Sequence, residues 1–168
     1  KIIKKIENQS NYLFSEVNVI IDQTDLDCIN VSGFKKLNGN QVLSEDISYI
    51  LNDVKSKIVE AEKNKSIIHL FNTKYLLDSK PIKNLPIGLY GDFYSHQLTF
   101  FMINDGELKS IKTLFNKCNL NLNKIILKSF TEGIRIINKN KKDTFIKIKI
   151  NKDETQLSFF YESAFNQF

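Results

Sequence analysis

Hydrophobic residues recur every three or four positions in several stretches of the chain, and this spacing predicts helices. The clearest stretch is residues 44–62, "SEDISYILNDVKSKIVEAE". Its apolar stripe, expected to be buried, consists of Ile47, Ile50, Leu51, Val54 and Ile58. Ser44 is a suitable N-cap, and Glu45 and Asp46 complement the positive end of the helix dipole. The opposite face carries Asp53, Lys57 and Glu60.

Shorter helical patterns occur in three other places. Lys1–Asn11 is typical of the end of a helix, a second helix is predicted from Asn104 to about Asn119, and a third from Ser129 to about Asn138. The buried face of the second helix is expected to consist of Leu108, Ile111, Leu114, Phe115 and Cys118. The third opens with "SFTE", which matches a capping box.

Alternation of apolar and polar residues, with many β-branched and aromatic side chains, predicts the strands. The predicted strands are Glu16–Asp22, Cys28–Leu37, Ile67–Asp78 (as one strand or two), Phe93–Ile103 and Lys124–Leu127. Residues 144–162, "TFIKIKINKDETQLSFFYE", contain two alternating runs around a polar turn and predict a β-hairpin. Pro81 and Pro86 bracket a loop that ends at Gly91.

The predicted elements follow the order αββ-α-ββ-α-β-α-ββ, which indicates an α+β or mixed α/β fold. A chain of 168 residues with 42% hydrophobic content suits one compact domain or parts of two. Because the chain begins without Met and ends after an aromatic run, we expect it to be a fragment of a longer protein. No apolar run approaches the roughly 20 residues that a membrane span needs.

The net charge of +5 and the pI near 9.1 raise the question of nucleic-acid binding. Arg135 is the only arginine, although arginine dominates base recognition and bidentate phosphate contacts. The lysines are also spread along the chain among Asp and Glu, and the densest run, at Asn138–Lys142, falls in a predicted loop. We therefore expect no nucleic-acid partner.

Candidate catalytic and metal-binding residues are few. Cys28 and Cys118 are far apart and outside any CxxC motif, so we expect reduced thiols and no metal site. His69 and His96 lie in predicted strands without an adjacent nucleophile and are interpreted as structural. The "DQTDLD" segment at residues 22–27 lacks the glycine and distal glutamate of a calcium loop and is interpreted as a turn. No catalytic residue is predicted from spacing alone.

An ordered series of segments resembles the bacterial cell-division protein FtsA, a member of the actin-like family. It begins with the "SEDISYILNDVKSKI" helix and the "IIHLFNTKYLLD" strand, whose His69, Tyr75 and Asp78 match a family pattern. The "LPIGLYG" loop at residues 85–91, the "HQLTFFMI" strand and the segment from "LKSIKTLF" to "TEGIRII" follow in the family's order. The resemblance spans about residues 3–160.

The resemblance implies an arrangement of subdomains. Residues 24–104 would form the inserted subdomain 1C, also called the SHS2 domain. Residues 1–23 and 105–141 would belong to actin-like, ribonuclease H-like subdomain 1A, and residues 142–168 would form the first hairpin of subdomain 2A.

In actin-like ATPases this hairpin carries an aspartate, several glycines and threonines that hold ATP. Glycine lets backbone N–H groups approach phosphate closely, and the aspartate helps to organise the metal. In an ungapped alignment, Lys149 stands at the position of the aspartate and Glu154 at that of the first threonine. The positions of the glycines are occupied by Asn151, Lys152 and Asp153. These side chains would crowd and repel phosphates, although Lys149 or Lys152 could contact phosphate as a point charge. We expect a degenerate nucleotide site, no cofactor and no enzymatic activity in this segment.

The resemblance also implies a function in the divisome. Members of the family link FtsZ filaments to the cytoplasmic face of the cell membrane, self-associate and contact late division proteins through 1C. The membrane-binding helix and the FtsZ site belong to other parts of the family's chain. The best candidates for a 1C interaction surface here are Asp53, Lys57, Glu60, Leu85 and Tyr90.

Three alternatives remain open at this point. One is an actin-like ATPase whose active site lies mostly outside these residues. Another is a pilus or competence assembly protein of the actin-like family with a similar inserted subdomain. The third is a basic nucleic-acid-binding module, which would show salt-dependent DNA binding.

Overall fold

The computed structural model describes residues 2–22, 26–161 and 164–167. Its helices are α1 (Ile2–Ser10), α2 (Ser44–Ala61), α3 (Asp105–Asn116) and α4 (Lys128–Asn140). Its strands are β1 (Glu16–Ile21), β2 (Asp27–Lys36), β3 (Lys65–Leu77), β4 (Lys80–Ile82), β5 (Phe93–Asn104), β6 (Asn121–Leu127), β7 (Phe145–Ile150), β8 (Thr155–Tyr161) and β9 (Ala164–Gln167). The predicted α+β fold class is confirmed.

The strands of the described residues form three sheets. The largest, here called the central sheet, is antiparallel and has the strand order β2-β5-β3-β4. Strands β1 and β6 pair in parallel, and β7, β8 and β9 form an antiparallel meander. The hairpin predicted at residues 144–162 is confirmed as β7 and β8.

Helix α2 covers one face of the central sheet, as its hydrophobic stripe predicts. Four residues of the stripe are buried and Leu51 is partly buried. They pack against alternate residues of β5, including Leu98, Phe100 and Met102. The helix lies so close to β2 that a methyl group on Gly33 would overlap the side chain of Ile50 and come within 2.7 Å of Val54. Burial of this apolar surface stabilises the helix on the sheet.

A second hydrophobic cluster joins the other face of the central sheet to the rest of the molecule. Phe165 of β9 is fully buried and lies at its centre. Its ring centroid is 5.4 Å from that of Phe71 on β3 and 5.1 Å from that of Phe101 on β5. The same ring lies 5.6 Å from Phe130 on α4 and 4.9 Å from Phe160 on β8. This aromatic cluster therefore holds the central sheet, α4 and the meander together.

Helix α4 packs closely against the meander. Gly133 is buried in the helix, and a methyl group at this position would overlap the ring of Phe160. Glycine inside a helix costs stability, but here it allows the helix and the hairpin to approach each other. The helix follows β6 directly, so this packing also fixes the hairpin beside the end of the parallel strand pair.

The starts of two helices differ from the sequence prediction. Helix α2 has Leu43 as its N-cap, and Ser44 is the first helical residue. The cap interaction comes from Asp46, whose carboxylate accepts a hydrogen bond from the Leu43 N–H at 2.7 Å. Helix α4 likewise begins after Leu127, so Ser129 lies inside its first turn. The predicted Ser44 and Ser129 caps are wrong because both helices begin one or two residues earlier than a serine cap requires.

The inward face of α3 is narrower than predicted. Leu108, Ile111 and Phe115 are partly buried, whereas Leu114 is 62% exposed. The helix ends at Asn116 rather than near Asn119, so Cys118 lies in the following turn and is exposed. The predictions for Leu114 and Cys118 are therefore wrong. Cys118 lies beyond the end of the helix, and Leu114 lies outside the stripe that packs against the sheet.

The sequence pattern did not predict two short strands. β4 has three residues and lies in the segment interpreted as a loop, and β9 has four. The Ile67–Asp78 segment is one strand, β3, with register shifts between Ile67 and His69 and between Asn72 and Lys74.

The aromatic cluster leads to a test of stability. We expect Phe165→Ala to lower the free energy of unfolding by about 3–5 kcal/mol, because it opens a cavity where several elements meet. Phe34→Ala is the matched control, since Phe34 is 65% exposed and should contribute less than about 1 kcal/mol. Denaturant titration would measure both values. Equal losses in the two variants would contradict the central position of Phe165.

Candidate functional site

The turn of the predicted phosphate hairpin is closed on itself. The Asn151 N–H donates to the Glu154 carbonyl at 2.9 Å, and the Asn151 side-chain amide donates to the Glu154 carboxylate at the same distance. All four turn residues, including Lys152 and Asp153, are exposed. The turn is thus filled by its own side chains.

Lys149 lies on β7, away from the turn, and makes an ion pair with Asp22. Its Nζ donates to Asp22 Oδ1 at 2.8 Å, while Lys128 Nζ donates to Asp22 Oδ2 at 2.7 Å. Asp22 directly follows β1 and Lys128 directly follows β6. Because these strands are parallel, their carboxyl ends lie at the same end of the strand pair. Lys149 of the hairpin lies beside this end. We call Asp22, Lys128 and Lys149 the ion triad.

The triad favours the charged forms of Asp22 and Lys128. The hydrogen bond from Lys128, followed by the one from Lys149, holds the pKa of Asp22 below its ordinary value. The hydrogen bond to Asp22 raises the pKa of Lys128. One carboxylate thus faces two ammonium groups, which leaves a net positive charge at this edge.

A second ion pair holds the same hairpin. Lys147, two residues before Lys149 on the same face of β7, donates to the carboxylate of Glu132 on α4. The two lysines therefore attach the hairpin to the helix and to the end of β1. The side chain at position 149, predicted to lie at a phosphate site, meets an aspartate of the same chain.

The structure separates the predicted phosphate-loop residues into two groups. Lys149 joins the ion triad, whereas the other positions, 151–154, lie in the exposed turn. Sequence reasoning missed Asp22, which was interpreted as part of a turn, and Lys128. The signal that could have found them is their position directly after two strands that pair in parallel, since polar residues at the carboxyl ends of parallel strands converge.

The two histidines are held inside the fold. His96 is buried, and its Nε2 lies 3.0 Å from the side-chain oxygen of Asn72. Burial lowers the pKa of His96 to about 4. Burial also lowers the pKa of His69, partly opposed by a hydrogen bond with the backbone of Ile125. Both rings are therefore neutral at pH 7, which agrees with the structural interpretation of these residues.

Asp78, the third residue of the family pattern, fixes the loop before β5. Its Oδ1 accepts hydrogen bonds from the backbone N–H groups of Asp92 and Phe93, each at 2.8 Å. Its backbone φ of 48° is left-handed, which Asp tolerates better than most residues. The side chain thus replaces a backbone partner in a tight turn, and this explains why an aspartate suits the position.

The candidate 1C interaction residues lie in two separate places. On α2, Asp53 and Lys57 form an ion pair at 2.8 Å and border a groove of about 500 Å³ beside β2, with Glu60 exposed nearby on the helix. On the loop after β4, Leu85 is 45% and Tyr90 68% exposed. The Tyr90 hydroxyl accepts a hydrogen bond from Gln41 at 2.6 Å, which orients the ring on the surface. The structure does not bring the helix and loop residues together.

Other classes of site find no support in the part of the chain that the structure describes. No group of three or more His, Cys, Asp or Glu side chains there is placed to hold a metal ion. None of the helices within the described ranges is long and apolar enough to cross a membrane.

Comparison with known proteins identifies the segment built around the central sheet. Residues 24–96 match the family model described as the SHS2 domain inserted in FtsA. The chain contains an FtsA-type SHS2 domain. Its match begins just before β2 and ends inside β5, so it takes in α2 and the loop that carries Leu85 and Tyr90. No curated protein matches the chain. The match places the chain in the context of FtsA and of cell division.

The ion triad predicts an acid-dependent change in stability. We expect Asp22→Asn to lower the free energy of unfolding at pH 7 by about 0.5–1 kcal/mol, because Lys128 and Lys149 then face each other without the carboxylate. The lowered pKa of Asp22 means that its ion pairs stabilise the fold above the ordinary pKa of aspartate and are lost as the pH falls through the lowered value. The deficit of the variant should therefore shrink in acid.

Denaturant titrations from pH 7 to pH 2 would measure this difference. Asp153→Asn removes the same charge from the exposed turn, and we expect it to leave the free energy of unfolding unchanged at every pH. A deficit for Asp22→Asn that stays constant in acid would show that the triad does not act through the charge of Asp22.

Proposed function

We propose that the chain is a non-catalytic part of an FtsA-like divisome adaptor. In this function the parent protein links FtsZ filaments to the cytoplasmic face of the cell membrane through other parts of its chain. The SHS2 domain contacts late division proteins. The observation that carries the proposal is the FtsA-type SHS2 match, which covers the whole of α2 and the exposed loop around Tyr90.

We further infer that the nucleotide site of the actin-like family is degenerate here. Two features support this inference. Lys149 is engaged by Asp22 rather than offered to a phosphate. The turn that would hold phosphate through glycine N–H groups instead carries four side chains, with Asn151 and Glu154 bonded to each other. An incoming triphosphate would have to displace these bonds and approach Asp153 and Glu154 against charge repulsion.

Magnesium-ATP binding tests this inference. We expect titration calorimetry of the longest natural chain that contains this segment to give no measurable heat of binding at millimolar magnesium-ATP. Saturable binding that is abolished by Lys149→Ala or Lys152→Ala would overturn the inference, because it would assign phosphate contact to these lysines. Binding that neither substitution alters would assign the nucleotide to residues outside the hairpin.

A second test asks which division proteins bind the SHS2 domain and which bind other parts of the parent protein. We expect the present chain to bind a cytoplasmic segment of a late division protein, and not the C-terminal tail peptide of FtsZ. Leu85 and Tyr90 are exposed on the loop, so Leu85→Asp with Tyr90→Ala should weaken that binding about tenfold or more.

Fluorescence anisotropy with labelled peptides would measure both interactions. Lys109→Ala on the exposed face of α3 is the control for a surface change outside the candidate interaction residues. Binding of the FtsZ tail, or peptide binding that the loop substitutions leave unchanged, would contradict the proposed use of this surface.

A further inference from the structure

Strand β4 covers the outer side of β3 over only part of its length. Strand β3 has 13 residues, but β4 pairs only with the last of them, residues 75–77. After Ile82 the chain leaves the sheet. Within the described ranges, no strand pairs with the outer side of β3 at residues 70–74. Backbone N–H and C=O groups along such an open edge can pair with a further strand.

A cleft of about 670 Å³ runs along this open edge and is here called the β3 cleft. Residues 70–74 line it, together with residues 81–85, where the chain leaves β4, and with Tyr161 and Ala164 of the meander. A smaller cavity of about 330 Å³ shares Lys74, Tyr161 and Ala164 with the cleft and reaches Gln97 on β5. At about 3.3 Å per residue, a strand of about five residues would follow the edge through this space.

The two sides of the open edge present different side chains. Leu70 lies opposite Phe100, which packs beneath α2, and Ile82 packs against the same hydrophobic cluster, so both belong to the α2 side. Lys74 lies opposite Gln97, and these two residues line the smaller cavity with Tyr161 on the other side of the sheet. Successive side chains of an added strand point to opposite sides. Apolar residues of that strand would therefore meet Leu70, and the residues between them would meet Lys74.

The charge of the β3 cleft is positive. Lys74 and Lys83 line it, both are exposed, and neither has an ion-pair partner among the described residues. None of the described residues that line the cleft or the smaller cavity is Asp or Glu. A carboxylate of a partner could thus pair with these ammonium groups without displacing one of this chain. A second copy of the chain would bring the same two lysines to this edge and no carboxylate.

We propose that the open edge of β3 binds an extended acidic segment of another protein as an additional strand, with acidic and apolar residues alternating along the segment. Its backbone pairs with residues 70–74, its acidic side chains approach Lys74 and Lys83, and its apolar side chains lie against Leu70. Leu85 lines the same cleft, whereas Tyr90 does not. The site therefore depends on β3 and its charges, and it stands without the function proposed above.

A designed peptide tests the charge of the site. We expect a labelled seven-residue peptide of alternating glutamate and valine, blocked at both ends, to bind saturably in fluorescence anisotropy. Lys74→Glu with Lys83→Glu should weaken this binding at least about tenfold, because both carboxylate partners are lost. Lys55→Glu with Lys109→Glu is the matched control, since it makes the same change in net charge at exposed positions of α2 and α3. At physiological salt, where distant exposed charges are screened, it should change the affinity by less than about twofold.

Pairing through the backbone is tested separately. A peptide with proline in place of its central valine keeps every carboxylate but lacks one N–H group, so its binding should weaken at least about tenfold. Hydrogen exchange followed by mass spectrometry should show slower exchange at residues 70–74 when the original peptide is bound. Exchange in β2, at the opposite edge of the sheet, should stay unchanged. Both lysine double variants alter exposed residues only, so they are expected to fold like the original chain.

Three results together would support the inference: loss of binding in the Lys74 and Lys83 variant, loss with the proline peptide, and slower exchange in β3. Equal losses in the two lysine double variants would overturn it, because the peptide would then respond only to the basic charge of the chain. Absence of binding, or protection outside β3, would overturn it as well. Tyr90→Ala separates this site from the proposed function, since it should weaken binding of a late division protein and leave the acidic peptide unaffected.

Discussion

Phe165 brings together parts of the chain that are distant in sequence. Its ring contacts aromatic residues from two strands of the central sheet, from α4 and from the hairpin. Each of these elements has an apolar face that would meet water without the others. The same packing positions the ion triad, because the hairpin that lies against α4 carries the Lys149 that pairs with Asp22. A buried aromatic cluster thus fixes the position of a charged group at the surface, and Gly133 provides the close approach that this packing needs.

The charged side chains at the ends of β1 and β6 pair with each other. Asp22 pairs with both Lys128 and Lys149, and within the turn of the hairpin Asn151 bonds to Glu154. Side chains of the chain thus join the hairpin to the ends of β1 and β6.

Periodicity predicted the helices and most of the strands because each buries a face that repeats along the chain. The stripe of α2 and the alternation of β7 and β8 are local signals of this kind. The caps were predicted less well, since Asp46 reaches back to Leu43 from within the first turn, and serine at positions 44 and 129 gave a misleading local match. The ion triad could not be derived from the sequence alone. It joins residues 22, 128 and 149, and only the parallel pairing of β1 with β6 makes the first two neighbours.

The place of Phe165 near the end of the described chain has a consequence during synthesis on the ribosome. The strands β3 and β5 that present Phe71 and Phe101 are made long before β9. Helix α2 can cover its side of the central sheet early, since its contacts are with β2, β3 and β5. The opposite side must keep its phenylalanine rings uncovered until α4, the hairpin and finally Phe165 emerge. The nascent chain therefore passes through a stage with one finished and one unfinished face, the state in which chaperones bind exposed apolar surface.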